Sequence, residues 1–191
     1  MTGALEPAEL SGHGLLLRPW TAALDRRDVA DLRRGLSDPE QARWNPNAPL
    51  DDPGEPAVHD WVDRLLARTA QGSGVFWAVR HPDDDRLLGH LGLRDVEPAT
   101  GTARVGYWIM PEARGRGTAT AALLLASHWA FGELGLHRIE LAHAVGHGAS
   151  CAIARKGGYL LEGVLRGAMP DSHGARQDLH LHARLATDAV D

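Results

Sequence analysis

Arg114-Gly115-Arg116-Gly117-Thr118-Ala119 lies between an apolar stretch ending in Gly106-Tyr107-Trp108-Ile109 and a run free of Asp, Glu, Lys and Arg from Gly117 to Gly132. Two glycines let the backbone turn sharply and bring its N–H groups close to a ligand. If a helix follows, its first-turn N–H groups and its dipole favour an anion at that place. Arg114 and Arg116 add two positive charges. The turn therefore reads either as a cradle for a phosphate or pyrophosphate or as a helix start with solvated arginines. A Walker A loop is excluded, because it needs Gly-Lys-Ser/Thr and the one lysine of the chain is Lys156. A dinucleotide fingerprint is excluded because Thr120 stands where the third glycine would.

Working outward, residues 118–134 read as a helix. Ala119, Ala122, Leu123, Ala126 and Ala130 line one face, and Leu124, Leu125, Trp129 and Phe131 cover most of the rest. A helix apolar nearly all round is expected to be deeply buried, and Gly135 is its expected terminator. Upstream, residues 75–79, 87–93 and 103–109 read as strands joined by short turns, hence antiparallel. Downstream come a strand at 139–142, a short helix at 150–156 ended by Gly157-Gly158, and strands at 159–165 and 178–185 around a loop with Met169, Pro170, Asp171 and Gly174. At the other end, residues 15–18 read as a first strand. Leu24, Val29, Leu32 and Leu36 recur at helical spacing until Asp38-Pro39 breaks the pattern. Residues 45–56, with four prolines, read as a loop, and a helix with Val58, Trp61, Val62, Leu65 and Leu66 on one side follows. The fold class is α/β (α+β), a mixed, mainly antiparallel central sheet flanked by helices. We expect a loose N-terminal tail at 1–12, one domain at 13–186 and a C-terminal tail at 187–191.

Composition narrows the function. The chain has 191 residues, 43% of them hydrophobic and 24% charged, an ordinary globular mixture. Its net charge of −5 argues against a general nucleic-acid binder and is compatible with a cationic or amine-bearing partner. The N-terminus lacks a basic start with an apolar run, and no stretch reads as a membrane span, so a cytoplasmic protein without membrane association is expected. A single cysteine, Cys151, excludes an internal disulfide framework. Eleven histidines invite a metal. However, His143 and His147 straddle a strand end and a loop, and no carboxylate or cysteine cluster in the sequence completes a set with His180 and His182. No metal is expected.

The ordered set Gly106-Tyr107-Trp108-Ile109, Arg114 to Ala119, Trp129-Ala130-Phe131, Leu134 to Glu140, Ala149-Ser150, Lys156 to Tyr159, Glu162 to Arg166 and Asp178 resembles the GNAT N-acetyltransferase superfamily. Its acetyl-CoA signature, Gln/Arg-x-x-Gly-x-Gly/Ala, is met by Arg114, Gly117 and Ala119. The similarity is greatest to the RimJ/RimL-type branch that acetylates N-terminal amines of ribosomal proteins, a branch that also holds enzymes for small amines.

The resemblance implies acetyl-CoA as co-substrate. Its pyrophosphate would lie on Arg114, Gly115, Arg116, Gly117, Thr118 and Ala119, and its pantetheine arm along Trp108, Ile109 and Met110, where a backbone N–H would polarise the thioester carbonyl. It implies direct attack by a primary amine, either a protein or peptide N-terminus or a small molecule. Near pH 7 an α-amine of pKa about 7.8 is neutral in roughly one molecule in ten, a lysine in about one in a few thousand, so an α-amine asks less of a base. Ser150 stands where the family protonates the leaving thiolate, though Ser is also a favoured helix N-cap. His147 stands where the family has an Asn that contacts the cofactor. Trp44 and Asp171 fall where the acceptor would bind. Arg104 and Met169 stand where relatives carry glutamates, which leaves the base open between Asp171 and His143. Asp178 is expected to pair with Arg166. The alternative is a non-catalytic acyl-CoA-binding sensor of the same fold. A homodimer is also compatible with this reading.

Overall fold

The computed structural model describes residues 5–45, 51–171 and 174–188. Strand order follows chain order through six strands, but the antiparallel alternation ends at the fifth, and the parallel join of the fifth strand to the sixth is what positions the site. The elements are β1 (Leu10–Gly12), β2 (Leu15–Pro19), α1 (Arg26–Leu36), α2 (Pro39–Trp44), α3 (Gly54–Ala70), β3 (Gly74–Arg80), β4 (Leu87–Glu97), β5 (Thr102–Ile109), α4 (Thr118–Gly132), β6 (Arg138–Ala144), α5 (Gly148–Lys156), β7 (Leu160–Pro170) and β8 (Arg176–Leu185), with a 3-10 turn at Pro111–Ala113 before α4. They build one eight-stranded sheet in the order β1-β2-β3-β4-β5-β6-β8-β7. Every neighbouring pair is antiparallel except β5 and β6.

Both faces of the sheet are covered. Side chains alternate along a strand, so Val75, Trp77 and Val79 of β3 enter one core and Phe76 and Ala78 the other. The first core packs against α4 and α5 through Ala122, Leu123, Ala126, Ala130 and Ala154. The second packs against α1 and α3 through Leu32, Leu36, Val58 and Val62. The all-round apolar α4 is buried along most of its length, and Trp129 docks it edge-on to Trp77 at 5.2 Å between ring centroids. Gly135, at φ +65°, lets the chain leave the helix by the left-handed route, and Leu136 N–H donates back to Ala130 O.

Three expectations need correction. The last residues of the presumed loose tail form β1, which pairs with β2, and Trp77 Nε1 donates to Ala8 O at 2.9 Å; residues 1–4 lie outside the described residues, as do 189–191 of the expected C-terminal tail. Pro39 does not simply break a helix but starts α2. At the first helical position its missing N–H costs nothing, and Asp38 caps the turn by accepting Gln41 N–H. Asp178 does not need Arg166 for its role, because its carboxylate accepts Gly167 N–H at 2.8 Å. Of the proline-rich loop expected at 45–56, residues 46–50 lie outside the described residues, and α3 already begins at Gly54.

Candidate active site

β5 and β6 are paired only at Thr102↔Arg138, Ala103↔Ile139 and Arg104↔Glu140. β6 stays paired with β8 to its end, and β5 stays paired with β4 to Ile109. The sheet therefore opens beyond Arg104, and the β6-facing edge of β5 has no strand partner there. Met110 N–H donates to Leu88 O at 2.9 Å. An antiparallel ladder alternates, so Trp108 and Met110 send their N–H groups toward β4, while Tyr107 and Ile109 send theirs into the opening. Of Trp108, Ile109 and Met110, the residues expected to meet the cofactor with their backbone, Ile109 alone aims its N–H at the cleft. The Trp108 side chain faces the other core, against Trp61 and His90.

The opening ends at the glycine turn. Gly115 (φ +72°) and Gly117 (φ +81°) adopt left-handed conformations that side chains with a Cβ disfavour. Thr118 Oγ1 donates to Ala113 O at 3.0 Å and pins the turn from inside. Gly117 occupies the N-cap of α4 with no side chain to cap it. A Ser or Asp there would itself accept first-turn N–H groups. Among the described residues no acceptor takes the backbone N–H of any residue from Gly115 to Thr120. An uncapped helix start of this kind leaves its first-turn N–H groups and the positive end of its dipole open to an anion. Beside it lies a cavity of about 270 Å³ whose lining includes His13, His81, Arg86 and Arg116, with Glu112 the sole carboxylate.

The two arginines part company. Arg116 is exposed at the turn. Arg114 is drawn inward: its Nε donates to Ile109 O at 3.0 Å and its Nη2 pairs with Asp38. Arg114 thus ties the turn to β5 and to α2.

Across the opening stands α5. It begins at Gly148 with His147 at its N-cap, so Ser150 is inside the helix and is not the cap its residue type suggested. Ser150 is buried, and its Oγ accepts a hydrogen bond from Tyr107 Oη at 3.2 Å. Burial pushes the Tyr107 phenol up to about 12, so it keeps its proton at neutral pH. Tyr107 was the partner that sequence reasoning missed.

His147 and Trp44 meet. Their rings stack at 4.4 Å, 3° from parallel, and Trp44 Nε1 donates to Glu40 Oε1 at 2.8 Å. Burial lowers the His147 pKa to about 4, leaving it neutral at pH 7. The stack carries α2, from the α1–α3 layer, against the N-terminus of α5. Asp171 lies in the β7–β8 turn, where its carboxylate accepts Ala175 N–H at 2.8 Å. Arg104 lies 3.4 Å from Glu140, an exposed pair. The expectation of no metal rested on the lack of a cysteine beside the histidines. The fold places Cys151 with His143, His180 and His182, their ligand atoms within 4.8 Å of one another.

A family model described as an acetyltransferase (GNAT) domain matches residues 14–160. The chain belongs to this family. The GNAT relatives include ribosomal-protein-serine acetyltransferase of Escherichia coli (strain K12), 34% identical over 104 residues, which are 53% of this chain and 56% of that one. YdaF of Bacillus subtilis (strain 168), named a putative ribosomal N-acetyltransferase, is matched over 58% of its length, so the chain spans under three fifths of these two relatives. A solved structure from Chromobacterium violaceum, described as a probable GNAT-family acetyltransferase, superposes with a TM-score of 0.81 at 30% identity, covering 97% of this chain and 90% of that one. RimJ of Mycobacterium smegmatis, solved with a CoA disulfide, gives a TM-score of 0.81 at 28% identity over 96% of this chain and 88% of that one. The mixed sheet with flanking helices is thus the GNAT fold.

Proposed function

We propose that this GNAT domain is an acetyl-CoA-dependent N-acetyltransferase acting on a primary amine, most readily an N-terminal α-amine of a protein or peptide or a small-molecule amine. One observation carries the reading: the uncapped turn at Gly115–Gly117 and the unpaired edge of β5 form a continuous path of backbone donors that ends at the Tyr107–Ser150 pair. Backbone N–H groups from Gly115 to Thr120 hold the diphosphate. The Ile109 N–H lies where it can stabilise negative charge on the thioester oxygen, a contribution of about 3 kcal/mol in a dry site.

The amine nitrogen attacks the thioester carbon, and the carbon–sulfur bond breaks as the tetrahedral centre collapses. Tyr107 donates to Ser150 Oγ, which leaves the Ser150 proton free for another acceptor. That acceptor is the departing thiolate, and the pair delivers one proton as the thiol leaves. The proton lost from the amine goes to solvent or to a base; an α-amine already neutral needs least help.

Trp44, stacked on His147 at the mouth of the opening, contacts the acceptor. The exposed Leu160, Leu161, Val164 and Leu165 on edge strand β7 support a homodimer through that strand. Among the described residues no helix is long and apolar enough to cross a membrane, which together with the ribosomal-protein relatives supports a cytoplasmic enzyme. Thiol release from acetyl-CoA with a panel of peptides, polyamines, amino acids and aminoglycosides tests the reading. Turnover with at least one amine is expected. A cofactor-induced rise in melting temperature with no turnover on any amine would favour the acyl-CoA sensor.

A further inference from the structure

Three histidines and a cysteine from three separate elements meet beside the first turns of α5. His143 lies near the end of β6, His180 and His182 share one face of β8, and Cys151 follows Ser150 in α5. The β6–β8 register places His143 directly opposite His180 and Leu141 opposite His182, so all three imidazoles project from the same face. His143 and His182 are buried, and His180 and Cys151 are half-buried.

Hydrogen bonding fixes the tautomers. His143 Nδ1 lies 3.0 Å from Ala144 O, and His182 Nδ1 lies 3.2 Å from Tyr159 O. A carbonyl can only accept, so each Nδ1 carries the proton, and in a neutral imidazole each Nε2 is then a bare lone pair. These two Nε2 atoms face each other at 3.3 Å. Two lone pairs at that separation repel. They need a cation between them, either a proton that turns one ring into imidazolium or a metal ion. A third nitrogen, His180 Nδ1, is buried with no hydrogen-bond partner.

The spacing suits a metal. Two nitrogens each ~2.05 Å from a tetrahedral ion stand ~3.3 Å apart. Imidazoles that ligate through Nε2 while donating Nδ1–H to backbone carbonyls have the outer-shell support such sites require. We propose that His143, His180, His182 and Cys151 form a tetrahedral site for zinc, with three imidazole nitrogens and one thiolate as ligands. Binding ionises the Cys151 thiol and releases one proton per ion. The ion ties β6, β8 and α5 together and, through Cys151, fixes the turn of helix that presents Ser150.

The test uses the full-length, untagged chain, stripped with chelator and titrated with cobalt(II) as a spectroscopic probe. It needs no acetyl-CoA and no turnover, so it stands or falls apart from the acetyltransferase reading. The expected result is one equivalent bound with Kd below about 1 µM, the intense visible bands of a tetrahedral site and a thiolate-to-cobalt band in the near ultraviolet, all displaced by one equivalent of zinc. Cys151→Ser removes the near-ultraviolet band. His180→Asn, at a half-buried position where folding is checked by circular dichroism, weakens binding roughly 100-fold. Absence of stoichiometric binding in the wild-type protein overturns the proposal, and so does binding unchanged in both variants.

Discussion

Tyr107 and Ser150 are 43 residues apart in the chain and 3.2 Å apart in space, joined by a hydrogen bond that spans the gap between β5 and β6. The bond exists because β5 parts from β6 after Arg104, leaving the side chain of one wall to reach the helix that follows the other. It makes Ser150 a poised donor and gives the first prediction. Ser150→Ala lowers kcat by about 100-fold, within the usual range for loss of a general acid, while the Kd for acetyl-CoA changes by less than threefold. Tyr107→Phe keeps the ring packing and lowers kcat by a smaller factor. Steady-state kinetics beside equilibrium binding checks both; a matched loss in binding and turnover would reduce the pair to a structural contact.

Gly117 caps α4 without a side chain and at positive φ. An ideal Cβ there meets no protein atom within 4 Å, so packing alone tolerates a side chain. Asn accepts the left-handed conformation better than other residues. Gly117→Asn therefore folds with a melting temperature near wild type, yet its amide competes for the first-turn N–H groups and coenzyme A affinity falls at least tenfold. Unchanged affinity in a folded variant would locate the diphosphate elsewhere.

Arg114 holds the turn to α2 through Asp38, whose side chain is 9% exposed. Arg114→Ala leaves that carboxylate without its cation. The arginine itself is 35% exposed, so solvent screens part of the loss, and the destabilisation is about 2 kcal/mol. Urea denaturation measures it. Arg114→Ala, Asp38→Ala and the double variant form a cycle in which the two losses are not additive.

Trp44 stacks face to face on His147. Trp44→Ala removes the aromatic contact and raises the acceptor KM roughly three- to tenfold, with acetyl-CoA binding unchanged. A shift in coenzyme affinity instead would place Trp44 against the donor substrate.

His90 is buried between Phe76 and Trp108, and its Nδ1 accepts from Trp20 Nε1 at 3.0 Å. Burial pushes its pKa down to about 3, against about 6.5 for an unfolded histidine. Between those values the unfolded chain binds a proton that the folded chain does not. Stability from this group is therefore complete above about pH 6.5 and is lost as pH falls toward 3, by up to about 1.4 kcal/mol per pH unit. His147, lowered to about 4, adds in the same direction. Denaturant midpoints at pH 7 and pH 5 should fall in wild type and fall less in His90→Gln, which still offers Trp20 an acceptor. Equal slopes would remove His90 from the account.

Local signals made much of this molecule legible. The glycine pair, the charge-free run of α4 and the short strand turns each act within a few residues, and they sufficed for the sheet, the long helix and the sharp turn that precedes it. What escaped depended on distance. Pro39 is the exception: Asp38 as cap and Pro at the first helical position are a local signal for a helix start, which the breaker reading passes over. Arg114 read only as a charge on the turn, because its bonds to Asp38 and Ile109 O are made by the fold and not by its neighbours in sequence. Trp108, Ile109 and Met110 looked equivalent because ladder parity is invisible until the pairing with β4 is known. Cys151 joined His143, His180 and His182 only once β8 inserted between β6 and β7.

Titration calorimetry of acetyl-CoA into the purified chain, repeated with Gly117→Asn, most directly tests whether the open turn and the parted strands form a coenzyme site. The account requires saturable heat at one molecule per chain in the wild type and a strongly weakened isotherm in the variant. An isotherm that never saturates, or one identical in both proteins, would contradict it.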